Sequence, residues 1–151
     1  MFTNTFLFPD VNVLLALAHD MHPHHEVALS FFSEVDLPSY LPTFYLCRVT
    51  QLGLLRLLTN RSALGIEALT LRQAWQAFDR FSDFWKATLL DEPPEFDDLF
   101  RQYTGRDEVS TKVWSDGYIV AFAAASGLRL VTFDRALAKQ DKGSILLRTM
   151  S

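Results

Sequence analysis

Two short apolar runs in this chain each hand over to a helix through an aspartate. Thr5 to Phe8 leads into Pro9-Asp10 and then Val11-Asn12-Val13-Leu14-Leu15-Ala16-Leu17-Ala18; Leu128 to Phe133 leads into Asp134 and the segment Arg135 to Lys139. Runs so short read as buried strands, and the segments behind them have helical composition. With the runs at Ser39-Tyr40-Leu41, Ala87 to Leu90 and Ile145 to Leu147, the pattern implies an α/β domain: a largely parallel sheet of about five strands flanked by helices. In such sheets ligands gather beyond the carboxyl ends of the strands. Both aspartates fall there. Either one alone is equally well explained as a helix cap, a role aspartate takes often; two at one sheet edge ask for more.

The rest of the chain fills in the alternation. A helix is expected from about Pro23, with Val27, Ala28, Phe31 and Phe32 at helical spacing. Pro38 and Pro42 bracket the expected strand at Ser39-Tyr40-Leu41, and Thr43 is placed to cap a helix running to about Thr59, apolar on most sides and so deeply packed. Asn60 to Gly65 reads as a loop. Helices are expected from Thr70 through Trp85, from Pro94 to before Gly105, and from Trp114 to Ser126 with Gly127 as C-terminal cap.

Length and composition bound what this pattern can be. A chain of 151 residues, 49% hydrophobic and with 13 Phe, is expected to be one domain over 1–151 with a core of its own. The lone Cys47 lies in an apolar stretch and reads as a small buried hydrophobe in a reducing compartment. Met1 to Phe8 carries no positive charge, unlike a signal peptide, and no apolar run approaches the ~20 residues of a membrane helix. A cytoplasmic protein without a membrane role is the expectation. The net charge of −4 argues against a non-specific nucleic-acid coat but leaves room for an acidic metal site with a local basic rim.

A third acid, Asp116, stands near the start of the apolar helix Trp114-Ser115-Asp116-Gly117-Tyr118-Ile119. A first-turn acid favoured by the helix dipole accounts for it, but the same place lets it project toward Asp10 and Asp134. Three converging carboxylates repel one another unless a cation sits among them, and hard ions such as Mg²⁺ or Mn²⁺ prefer such oxygens. An ion held this way lowers the pKa of a water and neutralises charge growing on a phosphate. That is equipment for phosphodiester hydrolysis.

Phe8-Pro9-Asp10-Val11-Asn12-Val13-Leu14-Leu15-Ala16-Leu17 resembles the opening of PIN domains. Val49-Thr50-Gln51-Leu52-Gly53-Leu54-Leu55-Arg56-Leu57-Leu58-Thr59-Asn60 resembles the third-helix segment of one group of VapC toxins, and Trp114 to Ala125 followed by Leu130-Val131-Thr132-Phe133-Asp134-Arg135 resembles the family's closing signature. The resemblance implies a three-layer sandwich around a parallel sheet and a Mg²⁺- or Mn²⁺-dependent endoribonuclease acting on RNA. It also implies a homodimer and a small VapB-like antitoxin. PIN domains generally carry four acids, the second on the third helix, where this chain has the neutral Gln51. On this resemblance Asp10 and Asp116 ligate the metal, Asp134 completes the cluster through a water or as general base, and Gln51 is a weak ligand or a support.

Asn12 is read as orienting a carboxylate or a water, with a buried hydrogen-bonded amide as the plainer account. Thr132 is read as a support at the strand end, although β-branched residues suit strands anyway. Of the basic residues near the acids, Lys112 and Arg135 are expected to face the crevice, and Arg48 and Arg56 to be surface charges. His19, His22, His24 and His25 surround the turn at Pro23 with no zinc spacing, and read as a solvated turn. Two other classes stay open: a catalytically silent PIN-like binding module, favoured by Gln51, and a metal-dependent phosphatase-like α/β domain, weakened by the neutral Asn12 beside Asp10.

Overall fold

The computed structural model describes residues 6–149, so Thr5 lies outside the described residues. The strands are β1 (Leu7–Pro9), β2 (Tyr45–Leu46), β3 (Thr88–Leu89), β4 (Arg129–Thr132) and β5 (Ile145–Leu146). Every pairing among them is parallel. They form two ladders rather than one continuous sheet: β1-β4-β5, and β2-β3. The second ladder lies alongside β1, with the rings of Phe6 and Tyr45 6.1 Å apart. Parallel neighbours need long crossovers, and the helices supply them: α1 (Val11–Ala18), α2 (His25–Ser33), α3 (Arg48–Leu58), α4 (Arg61–Leu64), α5 (Leu71–Trp85), α6 (Phe96–Thr104), α7 (Lys112–Ser126) and α8 (Arg135–Lys139), with a 3-10 turn at Gly65–Glu67. No helix among the described residues is long and apolar enough to cross a membrane.

Three layers follow from the alternation of side chains along a strand. Leu7 and Val131 point into a core built with Val13, Leu14, Phe32, Phe44, Leu54, Phe78 and Phe81, on the side of α1, α2, α3 and α5. Their strand neighbours Phe8 and Leu130 point the other way, into a second core with Phe96, Ile119, Val120, Phe122 and Leu137 of α6, α7 and α8. The sheet is therefore apolar on both faces, as parallel sheets require. Only its strand ends are left for polar chemistry.

The structure departs from the sequence reading at several places. Ser39-Tyr40-Leu41 is not a strand. Leu41 donates its amide to the Pro38 carbonyl at 3.0 Å, closing a turn, and Tyr40 is 82% exposed. Pro38 and Pro42 remove amide donors from both ends of that segment, and the strand forms instead at Tyr45–Leu46, which can pair with β3. Thr43 accordingly caps nothing. The helix begins after Cys47, whose amide donates to Thr50 Oγ1 at 3.0 Å. α3 buries only the face carrying Thr50, Gln51, Leu54 and Leu58 and leaves Leu52 half exposed, so it is less deeply packed than its leucine count suggests. Within the expected loop, Asn60 takes the amides of Ser62 and Ala63 and starts the short α4. α2 and α6 start two residues later than expected, at His25 and Phe96, and α7 two residues earlier, at Lys112.

α6 and α7 meet most closely at Gly117, where a Cβ would come 2.4 Å from the Thr104 methyl. Gly117→Val is expected to lower the free energy of unfolding by about 1–3 kcal/mol through overpacking, measured by urea denaturation. Thr104→Ser, which deletes the opposing methyl, should recover part of that loss; no recovery would place the strain elsewhere.

Candidate active site at the carboxyl edge of the sheet

Pro9 ends β1, and Asp10 carries the ladder one rung further by donating its amide to the Val131 carbonyl at 3.0 Å. The chain then turns into α1, and Asp10 Oδ1 caps that helix by accepting the Val13 amide at 3.1 Å. Its other oxygen, Oδ2, accepts the hydroxyl of Thr132 at 2.5 Å. Thr132 is the last residue of β4 and wholly buried, and its Oγ1 in turn accepts the Asp134 amide at 2.9 Å. One hydroxyl thus ties together the ends of two neighbouring strands. Asp10 itself is only 6% exposed. Burial pushes its pKa above the ordinary aspartate value; the bonds from Thr132 and Val13 oppose the rise without cancelling it, and the charge of Asp134 adds to it.

Asp134 caps α8, its Oδ1 accepting the amides of Ala136 at 2.8 Å and Leu137 at 3.2 Å. Its Oδ2 lies 3.3 Å from Lys112 Nζ, and the same nitrogen lies 3.2 Å from Asp116 Oδ2. Because α7 starts at Lys112, Asp116 sits in its second turn rather than the first, and the pair Lys112–Asp116 spans one helical turn. Burial works to raise the pKa of Asp134, but the Leu137 amide, the Lys112 ammonium and the Ala136 amide outweigh it and hold the group below its usual value. A continuous set of contacts therefore runs from Asp10 through Thr132 to Asp134, and through Lys112 to Asp116. The structure brings these five residues together.

The other sequence candidates make their recorded contacts outside this set. Gln51 is buried, and its Oε1 accepts from Arg48 Nη1 at 2.5 Å rather than from any group bound to the aspartates. Asn12 is exposed, not buried, and lines a groove between α1 and α3 with Gly53, Arg56 and Asn60. Arg135 is exposed and makes no ion pair with the three acids among the described residues. The histidines are spent locally: His19 faces Glu67 at 3.3 Å, His22 accepts the His24 amide, and His25 contacts the Ala16 carbonyl at 2.8 Å. One group at this edge was overlooked. Glu92, beyond the end of β3, accepts the Tyr118 hydroxyl at 2.6 Å and lines a hollow with Arg48 and Asp91. Its signal was the one that marked Asp10 and Asp134, an acid just after an apolar strand, but Asp91-Glu92-Pro93-Pro94 reads first as a turn.

As the side chains stand, no three Asp, Glu, His or Cys residues among those described are grouped to hold one metal ion. The donor chemistry nevertheless suits a hard divalent cation. Asp116 and Asp134 already share a cation in the Lys112 ammonium, and Asp10 is a buried carboxylate whose charge no ammonium or guanidinium meets at salt-bridge distance among the described residues. All three offer the oxygens such ions take.

A family model described as the PIN domain matches residues 7–143. The chain is 38% identical over 149 residues to Ribonuclease VapC41 of Mycobacterium tuberculosis, covering 96% of this chain and 99% of that protein. It is 32% identical to Ribonuclease VapC39 of the same species, over 85% of this chain and 88% of the relative. Among solved structures it is similar to M. tuberculosis VapC20, a sarcin–ricin loop cleaving toxin, with a TM-score of 0.62 at 15% identity, over 89% of this chain and 95% of the other. That last likeness is one of fold.

A buried carboxylate with a raised pKa favours the folded state at low pH, and the stability it contributes is lost as pH rises through the folded value. Asp10→Asn keeps the α1 cap at Oδ1 and removes the charge, while its amide NH2 replaces Oδ2 and turns the Thr132 hydroxyl from donor to acceptor. Without divalent ions, the variant is expected to unfold at a higher temperature than wild type at pH 7, and the gap should close as pH falls below the ordinary aspartate range. Thermal unfolding across pH measures it; a wild type more stable at pH 7 would contradict the assigned environment.

Proposed function

Since this chain belongs to the PIN-domain family, and within it is similar to the VapC ribonucleases, we propose that it is a metal-dependent endoribonuclease toxin whose centre is Asp10, Asp116 and Asp134. The observation that carries the reading is the Thr132 hydroxyl, which joins Asp10 to the Asp134 backbone, together with the Lys112 ammonium, which joins Asp134 to Asp116. These contacts link acids placed just after β1, on α7 and just after β4.

Carboxylate oxygens of the three aspartates would hold Mg²⁺ or Mn²⁺, which when bound supplies an activated water and neutralises charge on the scissile phosphate. The chain's own residues do the rest. Thr132 fixes the rotamer of Asp10, and the α8 amides fix that of Asp134. Asp134 completes the cluster, through a water or as general base. Gln51 brings no charge and is engaged by Arg48, so its part is to hold the guanidinium at the margin of the site. A catalytically silent module is the reading that Gln51 favours, and the experiment below separates the two.

The proposal includes an RNA substrate, a homodimer and a VapB-like antitoxin that places a basic side chain against the acids. Leu71, Trp75 and Phe84 along α5 are exposed apolar side chains of the kind protein partners cover.

Asp10→Ala and Asp116→Ala are each expected to lower Mn²⁺-dependent cleavage of RNA by about 100-fold or more, the scale on which a positioned acid or base counts. Thr132→Val should cost about 10–100-fold, as loss of a group that orients a ligand does. Gel-based cleavage assays on purified protein measure all three. Wild type that leaves every RNA intact would favour the silent module.

A further inference from the structure

Asp134 has two oxygens with different duties. Oδ1 is committed to the α8 cap, accepting two backbone amides. Oδ2 is the one left over, and Lys112 Nζ holds it. Asp116 Oδ2 is held by the same nitrogen. One oxygen of each acid, for Asp134 the one its helix cap leaves over, is therefore already paired with a cation that belongs to the chain. Lys112 is placed to give way: its side chain is 62% exposed, against 18% for Asp116 and 33% for Asp134. An ammonium on a flexible four-carbon stem can swing into solvent without unpacking anything.

We propose that Lys112 is a resident counter-cation that competes with the divalent ion for Asp116 and Asp134. The inference rests on the reading of the three aspartates as a metal centre. Without the metal, Lys112 keeps Asp116 and Asp134 turned toward each other against their repulsion. The carboxylates in turn stabilise the charged ammonium and raise its pKa, Asp116 most directly. The same pairing sets the occupancy of the centre, because any ion that enters must outcompete a cation already there. The neutral Gln51 leaves one acid fewer with which to do so. The centre accordingly binds a divalent ion less tightly than it would without Lys112.

Binding of Mn²⁺ to the protein without RNA, followed by titration calorimetry at fixed pH and ionic strength, tests this without reference to cleavage. Lys112→Met and Lys112→Gln are each expected to bind Mn²⁺ about fivefold or more tightly than wild type, a modest coupling between two competing ligands. Arg135→Met removes the charge next to Asp134 without touching the acids, and is expected to change affinity less. The proposal is overturned if the Lys112 variants bind no tighter than wild type, or if Arg135→Met tightens binding as much, since the protein's overall field then accounts for the effect. If neither wild type nor variants bind Mn²⁺, the metal centre itself falls and this proposal with it. Wild-type binding without tightening in the variants overturns the proposal alone.

Discussion

Everything at the carboxyl edge depends on the hydroxyl of Thr132. It donates to the Asp10 carboxylate and accepts the Asp134 amide, with no exposed surface of its own. A buried carboxylate is tolerated only when its lone pairs are met, and Thr132 meets one oxygen while the Val13 amide meets the other. The same contact locks β1 to β4 at the point where both strands turn into helices. A valine there would fill the space and leave Asp10 charged, buried and half satisfied. The fold thus spends a polar residue in a fully buried position, in a sheet otherwise apolar on both faces, and that residue is engaged by the Asp10 carboxylate and the Asp134 amide.

The electrostatics of the edge are arranged in opposite senses. Burial raises the pKa of Asp10, whereas helix amides and an ammonium lower that of Asp134. Two aspartates in contact with one threonine therefore differ in how readily each gives up its negative charge. A buried, partly repelling set of carboxylates costs stability and suits the binding of a cation, which is the common trade between stability and function.

Much of this was legible in the chain. The apolar runs ending at Asp10 and Asp134 gave two strand ends at one edge because a parallel sheet leaves few other places for polar groups. The helices from Thr70 and to Gly127 were legible because their caps are written in side chains and in a left-handed glycine, φ 68° at Gly127. What escaped was set by partners distant in sequence. Tyr45-Leu46 becomes a strand only because Thr88-Leu89 lies beside it, and two residues carry too little periodicity to announce themselves. Asn12 follows Asp10 closely, yet the helix turns it to the surface. Lys112 could be placed near the acids by sequence, but not on the free oxygen of each: that depends on which oxygen of Asp134 the α8 amides claim.

We propose that the three aspartates hold a divalent ion. Crystals of the protein soaked in Mn²⁺ and measured at the manganese absorption edge test it directly. The expected result is an anomalous peak within about 2–2.5 Å of oxygens of Asp116 and Asp134 and facing Asp10, the range of hard cation–oxygen bonds, with the Lys112 ammonium displaced. A peak confined to the histidines around Pro23, or none while Lys112 still bridges the two acids, would contradict it.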